Sequence, residues 1–485
     1  MTYTKFMNIS YKKYFEGKRV TKQGFGVLGR GYGVVKFLLD SGADVLVTDM
    51  KPREYFTKQI EEIETFIKEK NIKGKIEWIF GEHRLTDFDG SNCDFVIQAS
   101  GVPKDNIYLN HAKQKGVKVY QEGSLFAEIV RDFNIKVTEK DKIKIIGVTG
   151  TRGKTTTTFL VKKIIQDWLI FSKSENKVYF GGNIQGVATL ENLKHVKGGD
   201  YVVMEMDSWM LQGFTDIKFS PHIAVFTNFM PDHMNYYKNN MDEYFRDKSA
   251  IFSSQKENDL LVTPENMRDR IEGVKSSGEK IFISDEEVSE DKNKYGSGLL
   301  GDHNRVYVSL AKRVALYLDI DEKSIKQTIK NFSGVAGRLE LVRELGGVKY
   351  INDTTATTGE ASSVALDTFK DKSIILISGG RDKELDVSSY TSKVIEFKNK
   401  NIIKKIILLG DETTTGTHKL VEIFNKNNFS DFVLASSIEE AVNIAKENAE
   451  ANNVILFTPA FASFGMFQNE YDRGERYDKA VNSLT

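Results

Sequence analysis

The sequence predicts an α/β protein of three domains, and three observations lead there. Residues 142–171 (KIKIIGVTGTRGKTTTTFLVKKIIQDWLIF) read as a buried strand, a tight glycine loop and a helix. Ahead of that stretch, residues 18–120 alternate strand-like and helix-like segments around a second glycine turn. Behind it, from Gly347, short apolar runs again alternate with helix-like segments. Strands separated by helices form parallel sheets, whose strands are apolar on both faces. At 485 residues the chain is too long for one core. We expect domains over 1–120, 121–335 and 336–485.

The first domain opens on a short strand near Val20, followed by QGFGVLGRGYG from Gln23 to Gly33 and a helix over 34–39. A strand over 44–48 then ends at Asp49. Strand, glycine turn, helix, strand and an acidic residue about twenty positions on is the dinucleotide-fold fingerprint, so a Rossmann-like nucleotide domain is expected. Gly24, Gly26 and Gly29 satisfy its GxGxxG spacing, although glycines this dense fit more than one register. A tight turn without a ligand is the alternative reading. Further strands are expected at Ile76–Phe80, Phe95–Gln98 and 117–120, with a second turn, SGVP, from Ser100 to Pro103. In an open α/β sheet, ligands sit at the carboxyl ends of strands, which places both turns and Asp49 at one crevice.

The second domain is expected to be a P-loop ATPase domain with a mostly parallel sheet. Its loop is Thr149-Gly150-Thr151-Arg152-Gly153-Lys154-Thr155, with a helix opening at Thr155. Glycines let the backbone amides turn inward, the helix N-terminus adds partial positive charge, and Lys154 adds a full one. A hydroxyl directly after that lysine suits Mg²⁺. The strict phosphate-loop pattern has a glycine where this chain has Val148, so the loop is a TGTxGKT variant. It is expected to seat ATP. Strands over 201–206 and 222–227 follow, and Glu205 ends the first of them, where a carboxylate can face Thr155 across a cation. Asp207 is a second acidic candidate. His233, after the next strand, and Lys248, in an amphipathic helix, read by spacing alone as structural. The polar stretch 256–300 reads as a peripheral elaboration, and a helix is expected over 304–318.

The third domain is expected to be a Rossmann-like α/β unit with strands over 349–352, 374–378, 406–409, 432–435 and 454–458. Three strand-end turns stand out: Asp353-Thr-Thr-Ala-Thr357, Gly379-Gly-Arg-Asp-Lys383 and Thr458-Pro-Ala-Phe-Ala-Ser463. Two are rich in hydroxyls and one is cationic, which together describe a pocket for a small anion; each alone reads as a plain turn.

Composition narrows the class. The 68 basic and 68 acidic residues cancel, so no net field recruits nucleic acid or an anionic membrane. A single cysteine, Cys93, excludes an internal disulfide or a cysteine-built metal site. The first residues lack the apolar core of a signal peptide, and no run approaches the roughly eighteen apolar residues of a membrane span. A cytoplasmic protein is expected.

In order along nearly the whole chain, these motifs resemble the Mur ligases, ATP-dependent amide-bond ligases of peptidoglycan precursor synthesis. The match runs through TGTRGKT, Gly181-Gly-Asn183, Glu205, Asp232-His233-Met, Lys248 in YFRDKSAIF, GDHN at Asn304, Gly337-Arg338-Leu-Glu340 and Asn352-Asp353. GGRDKELD and TPAFASFGMFQNEYDRG most resemble the branch that adds D-glutamate to UDP-N-acetylmuramoyl-L-alanine. The resemblance implies that Gly150, Thr151, Arg152, Gly153, Lys154, Thr155 and Thr156 bind ATP. By the same resemblance Thr155 and Glu205 would hold one Mg²⁺, and His233 and Lys248 would serve a second, with Lys248 carbamylated. It implies catalytic roles for Lys154, Asn183, His233 and Lys248, and a clamp of Asn304, Arg338 and Asp353 on the nucleotide. Gly26, Gly31 and Asp49 would meet the uridine nucleotide, and Thr357, Lys383 and Ser463 the incoming D-glutamate. The partners implied are these small molecules alone, acting on a monomer.

Three departures from the family pattern bear on the acceptor. Thr355 stands where the pattern has a lysine, Glu205-Met-Asp-Ser-Trp-Met210 replaces Glu-Leu-Ser-Ser-Phe-Gln, and Glu470 replaces a phenylalanine. A Mur-type ligase with a different acceptor and a non-catalytic UDP-sugar-binding paralogue are the competing readings.

Overall fold

The computed structural model describes residues 7–26, 30–296, 298–411 and 413–485. Two compact units share them: one formed by Met1–Lys294 and Val306–Ile329, the other by Tyr295–Arg305 and Lys330–Thr485.

The first unit contains two sheets. One is built from β1 (Arg19–Gln23), β2 (Asp44–Asp49), β3 (Ile76–Phe80), β4 (Phe95–Gln98) and β5 (Lys118–Gln121), in the spatial order β3-β2-β1-β4-β5. All its pairings are parallel, and the order reverses at β1, the switch point beside which open α/β sheets bind ligands. Alternation along β4 divides the packing. Phe95 and Ile97 join the main core with Val34, Phe37 and Leu38, whereas Val96 packs with Phe88, Cys93 and Leu109 on the other face.

The second sheet of this unit holds β6 (Lys144–Thr149), β7 (Val178–Gly182), β8 (Tyr201–Glu205), β9 (Ile223–Phe226), β10 (Leu260–Pro264) and β11 (Glu279–Ile283), ordered β11-β10-β9-β6-β8-β7 and wholly parallel. Two of these strands correct the sequence reading. The stretch 256–300, read as peripheral, supplies β10 and β11, which extend the sheet past β9. Leu260–Pro264 is fully buried, but a five-residue run inside polar sequence carries little periodicity of its own. The helix after the glycine loop starts at Lys154, one residue earlier than expected, and runs to Phe171.

In the second unit, β12 (Glu340–Leu345), β13 (Val348–Asn352), β14 (Ser373–Ser378), β15 (Ile403–Leu409), β16 (Val433–Ala435) and β17 (Asn453–Phe457) form a sheet ordered β12-β13-β17-β14-β15-β16. Only β12 runs antiparallel, joined to β13 through the turn at Gly346 and Gly347. Ile374 and Leu376 face one core and Ile375 and Ile377 the other, as a sheet covered by helices on both sides requires. No helix among the described residues is long and apolar enough to cross a membrane.

Candidate active site

The register of the second sheet builds the site. Val148 on β6 pairs with Glu205 on β8, and Gly182 on β7 pairs with the same residue, so three strand ends open beside one another. A Cβ on Gly182 would lie 2.0 Å from the Glu205 carbonyl oxygen, so only glycine lets β7 pass this close. The amide of Asn183 then donates to that carbonyl at 2.7 Å, which puts the Asn183 backbone next to Glu205.

The glycine loop is held open by partners far away in sequence. Asn228 is central: its side-chain oxygen accepts from the Arg152 amide at 2.8 Å, and its carbonyl accepts from the Thr151 amide at 3.0 Å. The Thr227 hydroxyl donates to the Arg152 carbonyl at 2.5 Å. Gly150 and Gly153 have φ of 144° and 79°, and Cβ atoms there would lie 1.9 Å from Thr227 Oγ1 and 2.1 Å from the Tyr307 ring. Tyr307 is a wall of the loop that the sequence reading did not single out. Lys154 folds over the loop and donates to the carbonyls of Gly150 and Thr151, both at 3.0 Å. Thr155 and Thr156 occupy the first turn of the following helix.

Lys248 sits under the loop, 1 % exposed, donating to the Gly150 carbonyl at 2.8 Å and lying 4.9 Å from the centre of the Tyr244 ring. Burial, with the nearby Lys154 charge adding to it, holds its ammonium well below the usual lysine range. This favours the neutral amine. His233 has a left-handed φ of 56° and packs 4.6 Å from the Trp209 ring, and burial holds it below the usual histidine range. Asp207 caps the helix Ser208–Asp216 by accepting from the Met210 amide at 2.7 Å, and its charge acts on both His233 and Lys248.

Glu205 is 4 % exposed, and its Oε2 has no hydrogen-bond partner among the described residues. A buried carboxylate oxygen without a donor fits a cation. No group of three or more His, Cys, Asp or Glu side chains among the described residues is gathered to hold a metal. The lone Glu205 oxygen suits Mg²⁺, which takes one or two carboxylates and fills its remaining positions with water and substrate phosphates. The residues present therefore fit the ion.

At the first sheet, Asp49 serves the turn itself: its Oδ2 accepts from the amides of Phe25 at 2.8 Å and Gly26 at 3.4 Å. A Cβ on Gly31 would lie 1.8 Å from the Phe25 carbonyl oxygen, which explains the glycine by close packing of helix on turn. Gly29 of the GxGxxG reading lies outside the described residues.

In the second unit the three predicted turns are brought together, while Asn304 bonds elsewhere. Asp353 Oδ1 accepts from the Leu339 amide at 3.1 Å and Oδ2 from the Thr458 hydroxyl at 3.0 Å. Burial pushes its carboxyl up to about 7, against the nearby Arg338 charge. Asn304 begins the helix Asn304–Tyr317 and donates to the Leu300 carbonyl at 2.6 Å. The three turns expected to form an anion pocket are stitched to one another. Lys383 Nζ donates to the Thr357 hydroxyl at 2.8 Å, and the Arg381 amide to the Ala462 carbonyl at 2.8 Å. The Ala460 amide reaches the Ala356 carbonyl at 2.9 Å. Ser463 is 3 % exposed and its hydroxyl has no partner among the described residues. Thr355, the residue in place of a lysine, turns away to donate to the Gly337 carbonyl at 2.9 Å.

Comparison with known proteins identifies the family of these domains. Residues 148–308 match the Mur ligase middle domain, and residues 337–461 match the family described as Mur ligase, glutamate ligase domain. The UDP-N-acetylmuramoylalanine–D-glutamate ligase of Borreliella burgdorferi (strain ZS7) is 32 % identical over 95 % of this chain and 97 % of its own. The enzyme of the same name from Clostridium tetani is 32 % identical, covering 98 % of both chains. Among solved structures, the UDP-N-acetylmuramate–alanine ligase of Thermotoga maritima shares the fold with a TM-score of 0.56 at 16 % identity, covering 96 % of this chain and 99 % of its own. The MurF ligase of the same organism, solved with ADP, gives 0.54 at 15 % identity over 90 % and 95 %.

Proposed function

The chain belongs to the Mur ligase family, and from that premise we propose how its residues divide the work of an ATP-dependent ligase that adds D-glutamate to UDP-N-acetylmuramoyl-L-alanine in peptidoglycan synthesis. The observation that carries the reading is the open glycine loop over buried Lys248, with the unpartnered oxygen of Glu205 at the neighbouring strand end.

The three sheets are taken as three domains, over 1–120, 121–335 and 336–485. The first would hold the uridine nucleotide at Gly26, Gly31 and Asp49, the second ATP, and the third the acceptor at Thr357, Lys383 and Ser463. In the first step the alanyl carboxylate attacks the γ-phosphorus and the bond to ADP breaks, leaving an acyl phosphate. In the second, the acceptor amine attacks that carbonyl, phosphate departs, and the ammonium proton leaves to solvent as the amide forms. Lys154 and the amides of residues 150–156 would bind the phosphates and lower the repulsion between triphosphate and carboxylate. Asn183, beside Glu205, would orient the reacting groups, and Asn304, Arg338 and Asp353 would hold the nucleoside.

Thr155 and Glu205 would hold one Mg²⁺ and His233 and Lys248 a second, the ions supplying charge neutralisation between the two anions. A neutral Lys248 can add to CO₂, forming an N–C bond and losing a proton; the carbamate turns a buried amine into an oxygen ligand. Substrates of this kind, ATP and a UDP-linked sugar, place the enzyme in the cytoplasm, and we propose that it works as a monomer. The test is phosphate release from ATP with UDP-N-acetylmuramoyl-L-alanine and single amino acids. Release with D-glutamate alone is expected; release with another amino acid moves the acceptor, and silence with all of them overturns the reading.

A further inference from the structure

Helix Glu470–Asn482 carries an arginine in an unusual place. Arg473 is 0 % exposed, and among the described residues no carboxylate pairs with it within ion-pair distance. Its guanidinium is instead spent on strand-end turns. Nε donates to the Thr354 hydroxyl at 3.1 Å and Nη2 to the Thr354 carbonyl at 2.7 Å, both just after β13. Nη1 donates to the Phe461 carbonyl at 3.1 Å, just after β17. Gly380, just after β14, closes the third side: a Cβ there would lie 3.3 Å from Nη1 and 2.4 Å from the Ala462 carbonyl oxygen. The helix comes this near because residue 474 is glycine, where a Cβ would lie 2.7 Å from the Thr354 methyl.

We propose that Arg473 is a positioning residue of the acceptor pocket: it ties the turns after β13 and β17 into one wall, with the turn after β14 packed beside it, and places behind them a fixed positive charge that selects an acidic amino acid. The proposal rests on the acceptor reading above. Three of the five guanidinium N–H groups are used, all on neutral oxygens, and the centre of the Phe457 ring lies 6.0 Å from the guanidinium carbon, so no carboxylate among the described residues is bonded to the charge and a ligand can help to balance it. Burial lowers the guanidinium to about 9, with the charge of Glu470 opposing the shift. The same turns carry Ser463, whose hydroxyl is buried without a partner, and Lys383, held by Thr357. With Thr355 turned toward Gly337, the lysine missing from that turn leaves a charge to be supplied from elsewhere, and Arg473 supplies it from behind.

The experiment compares full-length wild type with Arg473→Gln and Arg473→Lys. Amide hydrogen exchange reads the tie directly, whatever the acceptor proves to be. In Arg473→Gln, turns 354–357, 379–383 and 458–463 are expected to lose protection together, while strands β14 and β17 keep theirs. Kinetics read the charge: KM for D-glutamate is expected to rise tenfold or more, KM for ATP to stay within twofold, and whatever turnover D-glutamine supports at high concentration to be unchanged. Arg473→Lys keeps the charge and is expected to recover most of the D-glutamate KM. Unaltered protection of the turns in Arg473→Gln overturns the proposal, as does a parallel loss for D-glutamate and D-glutamine. A wild type that ignores D-glutamate overturns the acceptor reading and the selection for it, while the exchange result still decides the tie.

Discussion

Two lysines meet at the glycine loop, and their surroundings separate their work. Lys154 is half-buried with its amine over the mouth of the loop, whereas Lys248 is sealed beneath it and held toward the neutral form. Lys154→Ala removes charge from the phosphates while leaving the first sheet untouched. Turnover is expected to fall by about a thousandfold or more, on the scale of losing a preorganised electrostatic contact. Uridine-nucleotide affinity, read by calorimetry, is expected to stay within twofold. A second titrating group sets acid stability. His222 Nδ1 accepts from the Ile145 amide at 3.1 Å, which needs the unprotonated nitrogen, and burial, with Lys142 adding, lowers the imidazole to about 4. In the unfolded chain it titrates near the ordinary 6.5. The unfolded state therefore binds the extra proton first, so stability is full above 6.5, falls as pH drops toward 4, and stays lost below that. The loss is at most about 3 kcal/mol, reduced by partial exposure to solvent. Urea unfolding at pH 7 and pH 5 should show a shallower pH dependence for His222→Asn than for wild type.

At the scale of elements, the loop is a joint between β6, its helix and the segment 227–228. Gly153→Ala puts a methyl 2.1 Å from the Tyr307 ring at φ 79°, so both steric and backbone strain oppose it. Overpacking of this kind costs about 1–3 kcal/mol. The denaturant midpoint should drop and ATP binding weaken, and Tyr307→Leu should restore part of the stability in a double-mutant cycle, the φ strain remaining. This joint also marks what sequence could tell. Gly150 to Thr155 are consecutive, so the glycine turn and the helix after it were legible; Thr227, Asn228 and Tyr307 reach the loop from 75 to 154 residues away, and no local pattern announces them. Strands Ile76–Phe80 and Phe95–Gln98 fell where their apolar runs lie. β7, β10, β11 and β12 did not, since a short run at a sheet's margin earns its conformation from its neighbour's hydrogen bonds. Lys248 and His233 had meaning only through resemblance, because a lone basic residue on a helix or loop reads as solvated. Arg473 was hidden for the same reason: within EYDRGERYD it looks like one charge among many, and only the fold reveals that it is buried.

Across the whole molecule, the acidic side chains around the loop are committed to the fold, with one exception. Asp207 caps a helix, Asp232 accepts from the His233 amide at 2.9 Å and lies 3.6 Å from Arg152, and Asp247 accepts from Gln212 and Tyr237. Of these side chains, Glu205 is the one with a buried oxygen that has no hydrogen-bond partner among the described residues. A divalent cation would thus serve the substrates' charges and is not required to hold the sheets, whose cores are apolar on both faces. Chelation should therefore separate chemistry from stability. EDTA is expected to abolish ATP turnover while moving the melting temperature of the nucleotide-free protein by no more than about 1 °C, a change well under 1 kcal/mol. With Mg²⁺ present, ATP at one hundred times its Kd should stabilise the protein by about 2.7 kcal/mol. With EDTA most of that increment should vanish, because triphosphate and Glu205 then meet without the charge that reconciles them. Thermal unfolding in the four combinations of ATP and chelator measures this. A large drop in the nucleotide-free melting temperature on chelation would instead make the cation part of the fold, with a ligand set assembled before any substrate arrives.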